Sequence, residues 1–195
     1  VLGLVHPQQV LTKAGARPGD SLYLSKRLGT GIITTAGKLQ TVAPRHLEAA
    51  IESMLRLNRH PSHIVREVGA HALTDVTGFG LLGHAHEMAE AGGVALRIQA
   101  GRIPILEGAL EYAAQGIHTG GEARNRQYFG EKVTFQGKLP DDLASVLFDP
   151  QTSGGLLIAA SPEQGRELEQ EFAKAQLGLW RIGEAIEGQG VVVLP

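Results

Sequence analysis

Two spacings of apolar residues recur along the chain and predict its secondary structure. Short alternating or continuous apolar runs predict strands at residues 21–25, 72–76, 94–98, 133–135, 156–160, 179–186 and 190–194. The run 156–160 is apolar throughout, which predicts a strand buried on both faces. A glycine-containing link at residues 187–190 separates the last two strands and predicts a hairpin-like end.

Helical spacing of apolar residues occurs between these strands. It predicts a helix from Pro44 through about Leu57, further helices at residues 62–68, 81–91, 104–115, 139–148 and 161–176, and a short helical or turn segment at 32–37. Pro44 and Pro162 suit first-turn positions, and Ser161 is a natural N-cap. The glycine-rich, then basic stretch 117–126 predicts an exposed loop.

Strands and helices alternate with short links, without a repeat and without a change in composition along the chain. This pattern predicts an α/β (α+β) layered domain in which helices cover a mixed β-sheet. Residues 1–195 are expected to form a single domain. The chain starts with Val1 rather than Met, which suggests a piece of a longer protein.

The stretch 71–84 combines a strand, a glycine turn and a helix, and it carries the main candidate chemistry. Asp75 ends the predicted strand, and a carboxylate there could bind Mg²⁺, which prefers oxygen ligands and bridges phosphate oxygens. Gly78 and Gly80 would let the backbone approach an anion at the helix N-terminus. The alternative is that Asp75 or Thr77 caps the helix and the glycines only turn the chain.

Composition excludes several classes of function. Lys and Arg number 18 against 20 Asp and Glu, for a formal net charge of −2, and no basic block occurs. Aromatic residues make up only 5% of the chain, so base-stacking surfaces are scarce and nucleic acid is not expected as a partner. Without cysteine, the chain holds neither disulfides, nor thiolate zinc sites, nor a cysteine nucleophile.

Patterns that target proteins to membranes are not found. No apolar run approaches the roughly 20 residues that cross a bilayer. Residues 1–10 lack the basic region and the cleavage site of a signal peptide. The expectation is therefore a cytoplasmic protein without a membrane partner.

Other polar residues are weaker candidates for a site. His60 and His63 stand three apart, but no third ligand joins them at a recognisable spacing. Arg124 or Arg126 could meet an anion from the predicted loop. The acidic pair at residues 141–142 is explained by the helix dipole and needs no catalytic role.

Three motifs together resemble one family. They are Leu-Gly-Thr-Gly-Ile at residues 28–32, Thr-Asp-Val-Thr-Gly-Phe-Gly-Leu-Leu-Gly-His at 74–84, and Asp-Pro-Gln-Thr-Ser-Gly-Gly-Leu-Leu at 149–157. The chain resembles the C-terminal domain of the selenophosphate synthetase family, also called selenide, water dikinase, within the aminoimidazole ribonucleotide synthetase superfamily. The Gly-Gly segment with Arg124 and Asn125 is similar to a further family segment.

This resemblance implies a two-domain, homodimeric enzyme that converts selenide, ATP and water to selenophosphate, AMP and phosphate with Mg²⁺. In that family an N-terminal domain supplies the catalytic Cys or selenocysteine, a Lys, metal-binding aspartates and the main dimer surface. The family's metal-binding aspartate maps onto Asp75, and Gly78 and Gly80 would lie near the phosphates. The resemblance places no catalytic residue within this chain, and we expect the chain alone to be inactive.

Two alternatives remain open from the sequence. The chain could belong to another superfamily member that acts on a purine precursor, thiamine monophosphate or a carbamoyl group. It could also be a stand-alone module that binds an anion or a partner protein without catalysis. His71, His84 and His118 are candidate selenide contacts only because they lie close to glycine turns.

Overall fold

A computed structural model describes residues 5–7 and 10–195, so the sequence-based statement about residues 1–10 falls partly outside the described residues. The strands are β1 Ser21–Leu24, β2 Ala72–Asp75, β3 Ala95–Gln99, β4 Val133–Phe135, β5 Leu156–Ala160, β6 Trp180–Ile186 and β7 Gly190–Leu194. The α-helices are α1 Thr30–Lys38, α2 Pro44–Leu55, α3 Arg59–Val68, α4 Gly80–Gly92, α5 Ala109–Ala114, α6 Gly120–Phe129, α7 Asp141–Phe148 and α8 Pro162–Lys174. Two 3-10 turns lie at Ala100–Arg102 and Gly130–Lys132.

All strands join one mixed sheet in the order β2-β5-β1-β6-β3-β7-β4. The pairs β2–β5, β5–β1, β1–β6 and β6–β3 are antiparallel, whereas β7 pairs in parallel with both β3 and β4. This arrangement confirms the predicted α/β domain with a mixed sheet covered by helices. Strand β2 lies at one edge of the sheet, and it is the strand that ends at Asp75.

The sheet separates two apolar cores. Side chains alternate across a strand, so Leu22 and Leu24 of β1 face the larger core while Tyr23 faces the smaller one. Helices α3 and α8 cover the smaller core through residues such as Val65 and Phe172. As predicted, β5 is buried along its whole length. Among the described residues, no helix is long and apolar enough to cross a membrane.

Several predicted helix ends are confirmed by their local chemistry. Pro44 begins α2, and the Ser161 hydroxyl accepts a hydrogen bond from the Gln164 N–H at the start of α8. The Gln164 side chain accepts the Ser161 N–H in return, which completes a capping box. Gly93 ends α4 with a left-handed backbone at φ 66°, a conformation that glycine adopts without steric strain.

The predicted helix at 104–115 is wrong in its first half. Leu28 donates its N–H to the Pro104 carbonyl at 2.9 Å and accepts the Leu106 N–H at 2.9 Å, so this segment is extended. Gly108 then takes a φ of 84°, and the helix begins only at Ala109. A pairing with a distant segment therefore overrides the local helical spacing.

The predicted exposed loop at 117–126 is wrong from Gly120 onward. Residues 120–129 form helix α6, whose N-cap Thr119 accepts the Glu122 N–H at 2.9 Å. Glu122 and Asn125 are buried. Gly121 packs so closely on Pro150 that a Cβ atom would lie 2.4 Å from its ring, and this packing explains why a helix tolerates glycine here.

The predicted terminal hairpin does not form. Strand β3 lies between β6 and β7, pairing antiparallel with one and parallel with the other. Turn residues after β6 indicated a reversal of the chain, which does occur, with Gly188 and Gly190 at positive φ. The position of β3 between the two strands depends on pairing between segments that are distant in the sequence, which the turn residues do not determine.

Candidate functional site

Asp75 lies at the exposed end of the edge strand β2, opposite Leu156 of β5. Its carboxylate makes no hydrogen bond or ion pair with any of the residues that the structure describes. The negative charge of Asp75 acts on His84, whose pKa it raises. An exposed carboxylate that makes no hydrogen bond can still bind a cation. Asp75 lies at the start of the turn that leads into α4, and its role as a metal ligand stays a prediction.

The alternative that Asp75 or Thr77 caps α4 is contradicted by the structure. The N-cap position of α4 is Phe79, and no side chain caps it. The Thr77 hydroxyl instead lies 3.2 Å from Nε2 of His84, one turn into the helix. A helix-capping role therefore does not explain the carboxylate at position 75.

The two glycines of the turn have different environments. Gly78 is exposed, and a Cβ atom built there would have no heavy atom within 4 Å. Gly80 is buried at φ 67°, and a Cβ atom would lie 2.7 Å from the backbone of Phe148. The Gly80 N–H donates to the Thr77 carbonyl at 3.0 Å, so it is engaged within the turn. A ligand can therefore approach the backbone at Gly78, whereas a glycine is needed at position 80 because the backbone of Phe148 packs against it.

A second turn, at residues 149–155, holds the first one in place. Gln151 donates its N–H to the Thr77 carbonyl at 2.9 Å, and Val76 donates to the Gly155 carbonyl at 2.8 Å. A Cβ atom on Gly154 would lie 2.0 Å from the Val76 oxygen, so the two turns are in direct backbone contact. The backbone immediately before Gly78 is therefore fixed by a segment that lies more than 70 residues away in the sequence.

The same second turn also holds the start of α1. The Gln151 side-chain oxygen accepts the N–H groups of Gly29 at 3.0 Å and Thr30 at 3.2 Å. Asp149 accepts the N–H groups of Gly31 at 3.0 Å and Ile32 at 3.1 Å. These bonds satisfy the first amides of α1, which have no partner inside the helix. The motif at 28–32 is thus joined to the motif at 149–157.

Asp149 is a fully buried carboxyl group. Burial raises its pKa from 3.8 to about 7, although the N–H groups of Ile32 and Gly31 and the Gln151 side chain act in the opposite direction. The group therefore holds a proton in the folded state at pH values where an exposed aspartate is ionised.

We expect stability to depend on pH through Asp149. Because its folded-state pKa lies above the unfolded value, the folded state binds the proton more tightly than the unfolded state does. Protonation of Asp149 therefore stabilises the fold. This contribution is complete below about pH 4 and is lost as the pH rises to about 7. The free energy of unfolding should fall by up to about 1.4 kcal/mol per pH unit across that window. Urea unfolding at several pH values measures this slope. The Asp149→Asn variant should show a shallower one, and equal slopes would contradict the assignment.

Asn125 of α6 connects a third segment to the turn. Its side-chain amide donates to the Gly78 carbonyl at 2.9 Å and to the Phe148 carbonyl at 3.0 Å. Sequence reasoning missed this role because it placed Asn125 in an exposed loop. The pattern Thr119-x-x-Glu122 is a sequence signature of a helix N-terminus and could have identified α6.

The three histidines proposed as selenide contacts are each engaged with the protein. Nδ1 of His71 lies 2.8 Å from Asp20, Nδ1 of His84 lies 3.2 Å from Glu87, and Nδ1 of His118 lies 3.2 Å from the Ser145 hydroxyl. Burial lowers the pKa of His84, although Glu87 opposes this effect. Only His84 is bonded to a residue of the turn, so the structure does not gather these histidines into one cluster.

The structure also places the other candidate ligands. Arg124 is exposed on α6. Arg126 is occupied by Glu122 at 3.0 Å and Asp141 at 2.7 Å, so it is not a free anion site. His60 and His63 are exposed on α3. In the part of the chain that the structure describes, no group of three or more His, Asp or Glu residues could hold a metal ion. Asp75 alone is too little for Mg²⁺, which requires near-octahedral oxygen coordination.

An aromatic groove of about 520 Å³ adjoins the turn. Phe129 is buried at its base and makes edge contacts with Phe79 and Tyr128, at centroid distances of 5.5 and 4.8 Å. Lys132 lies over the Tyr128 ring at 4.5 Å. Phe79 is 47% exposed, so the turn that carries Gly78 also forms one wall of this groove.

The family model described as "AIR synthase related protein, C-terminal domain" matches residues 17–194. The chain belongs to this family. Three curated relatives of the AIR synthase related domain carry the name selenide, water dikinase. The protein from Caldanaerobacter subterraneus subsp. tengcongensis is 44% identical over 97% of this chain, that from Peptoclostridium acidaminophilum 42% over 86%, and that from Escherichia coli O157:H7 40% over 97%. The alignments cover 55%, 48% and 54% of these relatives, so the chain spans about half of their length.

Solved structures share the fold of the AIR synthase related domain. Thiamine-monophosphate kinase from Stenotrophomonas maltophilia K279a superposes with a TM-score of 0.71 at 23% identity, covering 97% of this chain and 54% of that protein. The hydrogenase maturation protein HypE in complex with ATP superposes with a TM-score of 0.62 at 16% identity, covering 97% of this chain and 51% of HypE. At these identities the likeness concerns the fold alone.

Proposed function

We propose that this chain is the C-terminal half of a selenide, water dikinase, which makes selenophosphate, AMP and phosphate from selenide, ATP and water. Relatives of that name at 40–44% identity over 86–97% of the chain support the proposal. HypE, whose fold the chain shares, was solved in complex with ATP. A homodimer of the full-length enzyme stays a prediction from the resemblance.

The observation that carries the proposal is the exposed position of Asp75 at the end of β2. It is exposed, it makes no bond within the described residues, and it ends a strand whose following turn is held by Gln151 and Asn125. The carboxylate does not cap α4, which begins without any side-chain cap. Its position fits a ligand that is presented to a metal ion held jointly with another polypeptide segment.

The residues of the chain fit one wall of a Mg²⁺–ATP site. Asp75 would supply one oxygen ligand, and the open Gly78 would let phosphate oxygens approach the backbone. When bound, Mg²⁺ neutralises charge on the phosphates, on which phosphoryl transfer depends. The remaining ligands have to come from outside this chain, because the described residues offer no metal-binding group of three or more side chains.

The fixed geometry of the turn suits this role. Phosphoryl transfer depends mostly on positioning and on charge, so a metal ligand has to be held in place before the substrate binds. Backbone bonds from Gln151 and Gly155 immobilise the turn without using Asp75 itself. The chain would therefore contribute a rigid wall rather than a nucleophile or a general base.

One assay tests the proposal and its main alternative. The full-length protein should form AMP from ATP only when selenide is present, whereas this chain alone should form none, because it lacks most of the metal ligands. Thiamine monophosphate should not stimulate ATP consumption. AMP formation by the chain alone would contradict the shared site, and ATP use that depends on thiamine monophosphate rather than selenide would favour the other superfamily member.

A further inference from the structure

The Thr77 hydroxyl lies at the inner end of a row of polar side chains that begins at the surface. Lys13 forms an ion pair with Oε1 of Glu87 at 2.9 Å, and the other oxygen of this carboxylate lies 3.2 Å from Nδ1 of His84. Nε2 of His84 lies 3.2 Å from the Thr77 hydroxyl. The His84 side chain is only 9% exposed, so both hydrogen bonds of its ring are shielded from water.

The carboxylate of Glu87 sets the direction of the hydrogen bonds in this row. A carboxylate only accepts, so Nδ1 of His84 carries a ring hydrogen. Burial lowers the pKa of His84, so the ring is neutral at pH 8. A neutral imidazole has a single N–H, which leaves Nε2 as an acceptor. The Thr77 hydroxyl therefore donates its hydrogen to Nε2.

The oxygen of the Thr77 hydroxyl keeps its lone pairs available. A hydroxyl oxygen has two lone pairs besides its hydrogen, and no other residue that the structure describes bonds to this hydroxyl. Thr77 is half-buried. Its backbone is fixed as well, because its carbonyl accepts the N–H groups of Gly80 at 3.0 Å and Gln151 at 2.9 Å. The Thr77 side chain therefore offers a ligand an oxygen acceptor and no hydrogen donor.

Asp75 lies close to this oxygen. Thr77 follows Asp75 by two positions, so their Cα atoms are at most about 7 Å apart. Burial lowers the pKa of His84, whereas the negative charge of Asp75 raises it, so the carboxylate lies within electrostatic reach of the ring that binds Thr77. Asp75 and Thr77 can therefore contribute to one site at this end of β2.

We propose that Thr77 supplies a second oxygen ligand for Mg²⁺ beside Asp75, and that His84 is a positioning residue that holds the Thr77 hydrogen away from the ion. The inference rests on the proposed function, in which Asp75 binds Mg²⁺, and the other ligands still come from outside this chain. Mg²⁺ takes oxygen ligands, and the hydroxyl of a Ser or Thr binds it in P-loop nucleotide-binding proteins. A hydroxyl whose hydrogen is already engaged by Nε2 of His84 fits a cation rather than a phosphate oxygen, which needs a hydrogen donor.

Binding of Mn²⁺ to the full-length protein tests the inference without turnover. Mn²⁺ takes oxygen ligands as Mg²⁺ does, and electron paramagnetic resonance measures its Kd at pH 8 in the presence of a non-hydrolysable ATP analogue. Thr77→Val replaces the hydroxyl with a methyl group and should raise this Kd about tenfold, whereas Thr77→Ser should stay within about threefold of the unaltered protein. The control Thr74→Val removes a hydroxyl that donates to the Asp75 carbonyl at 3.3 Å, and it should leave the Kd unchanged.

A double-mutant cycle tests the positioning role of His84. His84→Phe keeps a ring against Phe79 but removes the acceptor for the Thr77 hydrogen, and it should also raise the Mn²⁺ Kd about tenfold. Because His84 acts through Thr77, His84→Phe should have no further effect on the Kd of Thr77→Val, and additive losses would overturn the positioning role. If Asp75→Asn weakens Mn²⁺ binding but Thr77→Val does not, the inference fails and the proposed function stands. If Thr77→Val weakens Mn²⁺ binding but the full-length protein forms no AMP with selenide, the proposed function alone fails.

Discussion

Replacing Asp75 with Asn is expected to reduce selenide-dependent AMP formation by the full-length protein on the order of 100-fold, because phosphoryl transfer depends on metal ions that neutralise the phosphates. Asn keeps the size of the side chain but removes the negative charge that attracts Mg²⁺. The loss should be partly recovered at higher Mg²⁺ concentration. Steady-state rates measured over a range of Mg²⁺ concentrations check both points.

Folding should not change in the same variant. Asp75 is exposed and unpaired within the described residues, so Asp75→Asn should alter the free energy of unfolding of this chain by no more than about 0.5 kcal/mol. Glu90→Gln, which removes a carboxylate that is 74% exposed on α4, is the matched control and should leave activity unchanged. Full activity of Asp75→Asn would refute the role of Asp75 as a metal ligand. A lower free energy of unfolding in this variant would indicate that Asp75 has a structural role.

Gly80→Ala is expected to destabilise this chain by about 3 kcal/mol or more. The backbone of Gly80 has a φ of 67°, where an alanine is strained. The new methyl group would also lie 2.7 Å from the carbonyl carbon and oxygen of Phe148. Neither neighbour is the flexible end of a side chain, so the turn or the start of α4 has to shift. Urea unfolding measures the loss.

Gly78→Ala provides the matched control in the same turn. Gly78 has no positive φ, and its added methyl group would meet nothing within 4 Å. We expect a change in the free energy of unfolding within about 1 kcal/mol. In the full-length protein the same variant should weaken ATP binding if phosphates approach the backbone here. Equal destabilisation by both variants would contradict the distinction between an open and a packed glycine.

The secondary structure was predictable where local contacts decide it. The apolar run of β5 and the capping residues of α8 act on neighbours within a few positions, and both predictions are confirmed. The helix proposed at 104–115 failed in its first half because Leu28 pairs with residues 104–106. The loop proposed at 117–126 failed because Asn125 and Glu122 gain buried partners, which outweighs the low helix propensity of the two glycines.

The sequence by itself determined the chemistry that this protein can offer. It identifies one carboxylate before a glycine turn, excludes thiol chemistry within residues 1–195, and carries motifs that resemble one family. Tertiary structure decided which of these residues are available. Asn125 binds the turn from 47 residues away, and Gln151 holds Gly29 from 122 residues away. Such contacts depend on how the sheet brings distant segments together, and no local spacing encodes them. Only the fold therefore distinguishes the exposed Asp75 and the open Gly78 from the packed Gly80.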